Sequence, residues 1–211
     1  MTKRSYRIAR LPAGTDPRSI DWAAVATADI DTYRWLDGYA PLASARLVYV
    51  EGDCFVLHMQ CRETAPRAVY HGYNDPVYTD SCLEFFADFL GDGRYINLEM
   101  NANGALLSCV GIDRHGRTPI RDLTGGTIFP VTASVSEVDE LWSVTAVMPL
   151  SALCAILKAE DLPFASGYAF RGNFYKCGDE TAIPHYGMWN PVGTENPDFH
   201  CPAYFGDLVI E

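Results

Sequence analysis

A chain of 211 residues with 48% hydrophobic content can bury a full core, and its length suits one all-β domain spanning 1–211. Its formal charge of -11, from 27 acidic against 16 basic residues, excludes a phosphate-tracking groove of Lys and Arg, so no nucleic-acid partner is expected. No apolar run reaches membrane-spanning length, and the basic start MTKRSYRIARLPAG lacks the apolar stretch of a secretory signal, so no membrane partner and a cytoplasmic location are expected.

Short apolar runs punctuated by 17 Gly and 13 Pro predict strands in the order Tyr6–Arg10, Ala45–Glu51, Cys54–Arg62, Ser81–Phe89 and Tyr95–Asn101. Further strands are expected at Ala105–Ile112, Phe129–Val135, Trp142–Met148, Tyr168–Lys176 and Tyr204–Ile210. Turn residues such as Glu51-Gly52-Asp53 and Asn103-Gly104 separate several of them. Two short helices are predicted, one around Trp22–Ala28 and one from Ser151, as cap, to Leu157. The expected fold is an antiparallel β-sandwich of jelly-roll type. Leu57, Phe85, Leu98, Val144 and Phe170 hold the apolar phase of their strands and should lie between the sheets, with Trp22, Trp35 and Trp142 as further core.

Alternation assigns the opposite faces. In the run ending at Asn101, Tyr95, Asn97 and Glu99 share the polar side, and Glu84 lies on the mixed face of its own run. In Tyr168–Lys176, Arg171, Asn173 and Tyr175 turn away from Phe170 and Phe174. The following loop carries Pro184, His185, Tyr186 and Trp189, and an indole beside a polar strand face is a platform for a flat ligand such as a sugar ring. These polar faces are expected to merge into one binding surface.

Seven cysteines, an odd count without any C-x-x-C pair, read as reduced thiols. A zinc set of Cys177, His185, His200 and Cys201 is disfavoured because adjacent His200 and Cys201 point apart in extended chain. No metal and no cofactor are expected.

Five strings in order, Trp35 before PLASARLVYV, then VYTDSCLEFF, YINLEMNANGALL, FRGNFYKCGD with PHYGMW, and NPDFHCPAYFGDL, resemble family 9 carbohydrate-binding modules and the broader DOMON-like group. The resemblance implies a β-sandwich that holds a saccharide between two aromatic side chains, without catalysis by the module itself, in a setting of carbohydrate catabolism. Carried over residue by residue, it implies Tyr78 as the first aromatic and Trp189 as the second, with Glu84 as the carboxylate. Asn97, with Asn101 as a second amide, would serve on one strand, and Arg171 and Asn173 on the opposite wall. Glu99, Tyr175 and His185 complete the expected site. The structural calcium of some members is not expected, since no Asp-x-Asp-x-Asp loop is present.

Other readings remain open. Glu84 and Glu99 could serve a small glycoside hydrolase or lyase if their carboxyls lie about 5 to 9.5 Å apart. A haem held by Met100, Met188, His58 or His185, and a ligand-free interaction domain, are the remaining alternatives.

Overall fold

A computed structural model describes residues 3–211. The strands are β1 (Ser5–Leu11), β2 (Ala28–Ile30), β3 (Thr32–Tyr33), β4 (Leu42–Val50), β5 (Cys54–Arg62), β6 (Cys82–Asp88) and β7 (Tyr95–Asn101). They continue with β8 (Leu106–Gly111), β9 (Thr118–Pro119), β10 (Val131–Ser136), β11 (Leu141–Pro149), β12 (Ala169–Cys177), β13 (Tyr186–Met188) and β14 (Gly206–Ile210). The described residues form two α-helices, α1 (Ile120–Leu123) and α2 (Leu150–Leu157). The bounds of β5 and β7 are those that alternation predicts, whereas β2, β3, β9 and β13 are too short to carry a periodic signal. The predicted helix at Trp22–Ala28 is a single 3-10 turn over Trp22–Ala24, and Pro149, not Ser151, occupies the cap position of α2.

The strands form one curled, mixed sheet in the order β10-β11-β5-β4-β1-β14-β12-β6-β7-β8-β9. The expected antiparallel arrangement is corrected at β1, which runs parallel to both β4 and β14 and so links the two halves of the sheet. Apolar faces of the two halves meet in one core containing Leu57, Phe85, Leu98, Val144 and Phe170. Phe55 of β5 meets Phe170 of β12 across this core at 5.8 Å. Trp142 is buried there as expected, while Trp22 and Trp35 are only half-buried. Trp22 instead stacks on His58 at 4.9 Å, covering the outer face of β5.

The second correction bears on function. Every residue of β6 and β7 is buried, including the polar phase expected to face a surface. A second apolar cluster, with Phe86, Tyr95, Tyr175, Phe199 and Phe205, roofs that face. Its roof comes from the segment between β13 and β14, whose packing no strand periodicity reveals.

Candidate functional site

A cavity opens beside the roof residues Pro197–His200. Along it, β12, β6 and β7 set Tyr175, Glu84 and Glu99 side by side, because antiparallel register pairs Tyr175 with Glu84 and Glu84 with Glu99. Glu84 and Glu99 border this cavity of about 290 Å³. Tyr78 stands at its mouth, Phe199 and Tyr186 supply aromatic wall, and Arg117 and His200 close the polar side.

Tyr78 sits on a 3-10 turn, Val77–Thr79, and is 41% exposed. The turn is held from below by Asp80, which is fully buried and pairs with Arg67. Asp80 Oδ2 also accepts from the backbone N–H of Val69 at 2.9 Å and of Tyr70 at 3.1 Å, and from Asn101 Nδ2 at 2.8 Å. A buried carboxylate with a charge partner and three donors fixes the segment on which the tyrosine is carried. Phe199 is stacked on Tyr175 at 4.1 Å, so Tyr175 supports the wall from behind and does not border the cavity.

Glu99 accepts from Asn97 Nδ2 at 3.0 Å and lies 3.6 Å from Arg117 Nη1. That Nη1 is buried without a hydrogen-bond partner, as is Asn97 Oδ1. Cys177 donates its thiol to Glu84 Oε1 at 2.8 Å. Burial pushes Glu84 well above the usual carboxyl range, and the charge of Glu99 adds to the effect. Burial raises Glu99 to about 7, against the pull of Arg117. The cavity thus offers carboxyl donors and acceptors, the guanidiniums of Arg114 and Arg117 and an exposed aromatic face.

These shifts set a pH dependence with a definite sign. The folded values exceed the unfolded value of about 4.3, so between them the native state holds the extra proton. The stability contributed is complete below about 4.3 and is lost as pH rises through the folded values, about 7 for Glu99. His58, His185 and His200, lowered by burial to about 4, 4 and 3, act in the opposite sense, losing stability as pH falls below their unfolded value of about 6.5. Comparing the parent with Glu84→Gln cancels the histidines. The variant is expected to gain stability relative to the parent as pH rises from about 5 to 8, read as denaturation midpoints, and a pH-independent difference would rule out the raised carboxyl.

Other predicted site residues lie elsewhere. Arg171 and Asn173 share the face of Glu84, as alternation requires, but are paired with Asp88 and Phe86. Arg171 is about 13 Å along the strand from the Glu84 rung, at some 3.3 Å per residue. Its Nη2 donates to the carbonyls of Pro202, Ala203 and Phe205 at 3.0, 3.2 and 3.0 Å, tying down the roof. Asn173 is buried and bonds both backbone groups of Asn190, at 2.8 Å each. Asn97 is buried beneath the cavity and reaches it only through Glu99.

Trp189 and His185 point the other way. They follow the phase of Gly187 in β13, which turns them to the main core, while Tyr186 and Met188 take the site face. Trp189 is packed edge-on against Phe174 at 5.6 Å. His185 is buried and receives a hydrogen bond from Lys176 Nζ at 2.6 Å. Recognition of β13 as a strand would have chosen Tyr186 as the aromatic and excluded Trp189. Arg114, Arg117, Asp179, Asp198 and Phe199 also border the cavity and were not expected, since they come from loops without periodicity.

All seven cysteines are unpaired. The zinc set of Cys177, His185, His200 and Cys201 is not assembled: among the described residues the one His/Cys/Asp/Glu group at ligating separation is Cys82, Glu84 and Cys177. The haem candidates are likewise dispersed, with Met100 in the core and Met188 Sδ accepting from the Val192 N–H at 3.1 Å.

The sequence profile described as carbohydrate-binding family 9 matches residues 15–210. A crystal structure of a candidate carbohydrate-binding protein from Bacteroides uniformis ATCC 8492 is 30% identical, with 100% of each chain covered and a TM-score of 0.82. A family 9 module from Caldicellulosiruptor kristjanssonii in complex with glucose is 13% identical, covering 99% of this chain and 96% of that one at a TM-score of 0.67. The same organism's family 9 module with cellotriose is 12% identical, covering 99% and 94% at a TM-score of 0.67, so both share the fold. No curated protein matches the chain.

Proposed function

The chain belongs to carbohydrate-binding family 9, and from that premise we propose that it binds a saccharide, without cleaving it, in the cavity bordered by Tyr78, Glu84, Glu99 and Arg117. The observation that carries this reading is the exposed ring of Tyr78 at the mouth of a cavity whose walls hold two carboxyls and an unsatisfied guanidinium nitrogen. A sugar presents an apolar ring face and a rim of hydroxyls that both donate and accept, and this pairing of surfaces complements both. A volume of about 290 Å³ is at the small end of ligand pockets and suits one ring or a chain end better than a threaded polymer.

Calorimetry with glucose and cellotriose, the ligands of the two C. kristjanssonii complexes, tests the reading. Tyr78→Ala should weaken binding by about 1–3 kcal/mol, the usual scale for truncating a binding anchor, with the melting temperature kept because the ring is 41% exposed. Equal affinity in parent and variant would remove Tyr78 from the site, and no binding across a panel of mono- and oligosaccharides would end the proposal. One observation favours a second reading, hydrolysis: Glu84 and Glu99 are opposed on neighbouring strands with raised carboxyls. Release of reducing sugar from cello-oligosaccharides, lost in Glu84→Gln, would assign it.

A further inference from the structure

Cys82 and Cys177 are distant in sequence but direct cross-strand partners between β6 and β12, on the face that carries Glu84. Their sulfur atoms and a Glu84 oxygen lie within 4.8 Å of one another, and Cys177 Sγ is 2.8 Å from Glu84 Oε1. All three residues are at least 97% buried. Cys177 and Glu84 nevertheless border the cavity, which provides a path from solvent.

We propose that Cys82, Cys177 and Glu84 form a site for a thiophilic divalent cation of the zinc or cadmium class, with the fourth coordination position facing the cavity. Two sulfurs and one carboxylate oxygen are a donor set that suits such ions. Bond lengths of about 2.3 Å to sulfur and 2.1 Å to oxygen place tetrahedral donors some 3.6–3.8 Å apart, within reach of the observed cluster through small side-chain rotations. The ion displaces both thiol protons, and the carboxyl proton where Glu84 holds one, to solvent and leaves two thiolates and the carboxylate bound to it, with no change in oxidation state.

Charge around the cluster points the same way. Glu99 is opposite Glu84, and the cavity lining carries the carboxyl groups of Glu84, Glu99, Asp179 and Asp198 against the guanidiniums of Arg114 and Arg117. The nearest cation on β12, Lys176, faces away and is paired with Glu63, while Arg117 is engaged by Glu99.

The test is an anaerobic titration of the reduced full chain with cadmium chloride, following thiolate-to-cadmium absorption, with calorimetry in two buffers of different ionisation enthalpy. One ion per chain, release of about two to three protons and loss of the absorption in both Cys82→Ser and Cys177→Ser are expected. Glu84→Gln should retain the absorption with weaker binding. Absorption that survives both serine variants, or none in the parent, overturns the proposal. Should a serine variant fail to fold, labelling of the parent chain decides. Cadmium should protect Cys82 and Cys177 while Cys109 and Cys201 stay reactive, and equal labelling with and without cadmium would refute the site. This site does not depend on saccharide binding, and the cadmium titration is read without sugar.

Discussion

Glu63→Ala is expected to lower the unfolding free energy by about 3–5 kcal/mol, the scale for removing one partner of a buried ion pair. Lys176 is fully buried, because the inward phase of β12 that holds Phe170, Gly172 and Phe174 continues to position 176. Its ammonium lies 3.2 Å from Glu63 Oε2 and donates to the Cys177 carbonyl at 2.9 Å. Glu63 also accepts from Trp142 Nε1 at 3.1 Å and Ser81 Oγ at 3.0 Å. His185, held neutral by burial and by Lys176, accepts from the lysine through Nε2 and donates from Nδ1 to the Ile183 carbonyl at 2.8 Å. Removing the carboxylate therefore strands a buried charge and two neutral donors. Denaturant titration of Glu63→Ala, Lys176→Met and the double variant forms the cycle that measures the coupling. The double variant should recover part of the loss, because the orphaned ammonium is gone. A Glu63→Ala midpoint equal to that of the parent would show that the pair contributes nothing.

The other large effect belongs to Trp189. Trp189→Ala should destabilise the fold by about 3–5 kcal/mol, the range for truncating a buried tryptophan, and leave saccharide affinity of the folded protein unchanged. The indole is 5% exposed, set edge-on between Tyr6 at 6.5 Å and Phe174 at 5.6 Å. Gly206 exists to receive it, since a Cβ there would overlap the ring. A shifted denaturation midpoint at constant slope, with calorimetric affinity retained, is the expected pair of results. Parent-like stability with lost affinity would return Trp189 to the binding site.

Local pattern determined much of this molecule. Alternation is a property of a single strand, so it sufficed to place β5, β7 and the core phase of Leu57, Phe85, Leu98, Val144 and Phe170. It also put Glu84, Glu99 and Tyr175 on one face, and the short separation of Tyr78 from Glu84 kept them together in space. The family was legible in five ordered strings for the same reason: each is contained within one element or turn.

Exposure was decided only by the tertiary structure. Phase tells which face a residue takes, not whether another segment covers that face, and the segment from Val192 to Phe205 covers most of this one. Arg171 and Asn173 therefore bond backbone carbonyls of the roof instead of a ligand. Three-residue β13 is too short to show a period, and its phase sends Trp189 and His185 inward and Tyr186 to the cavity. The parallel pairing of β1 and the meetings of Glu63 with Lys176 and of Cys82 with Cys177 join residues far apart in the chain. Such contacts depend on register between strands, which packing of the whole core sets and no single segment encodes.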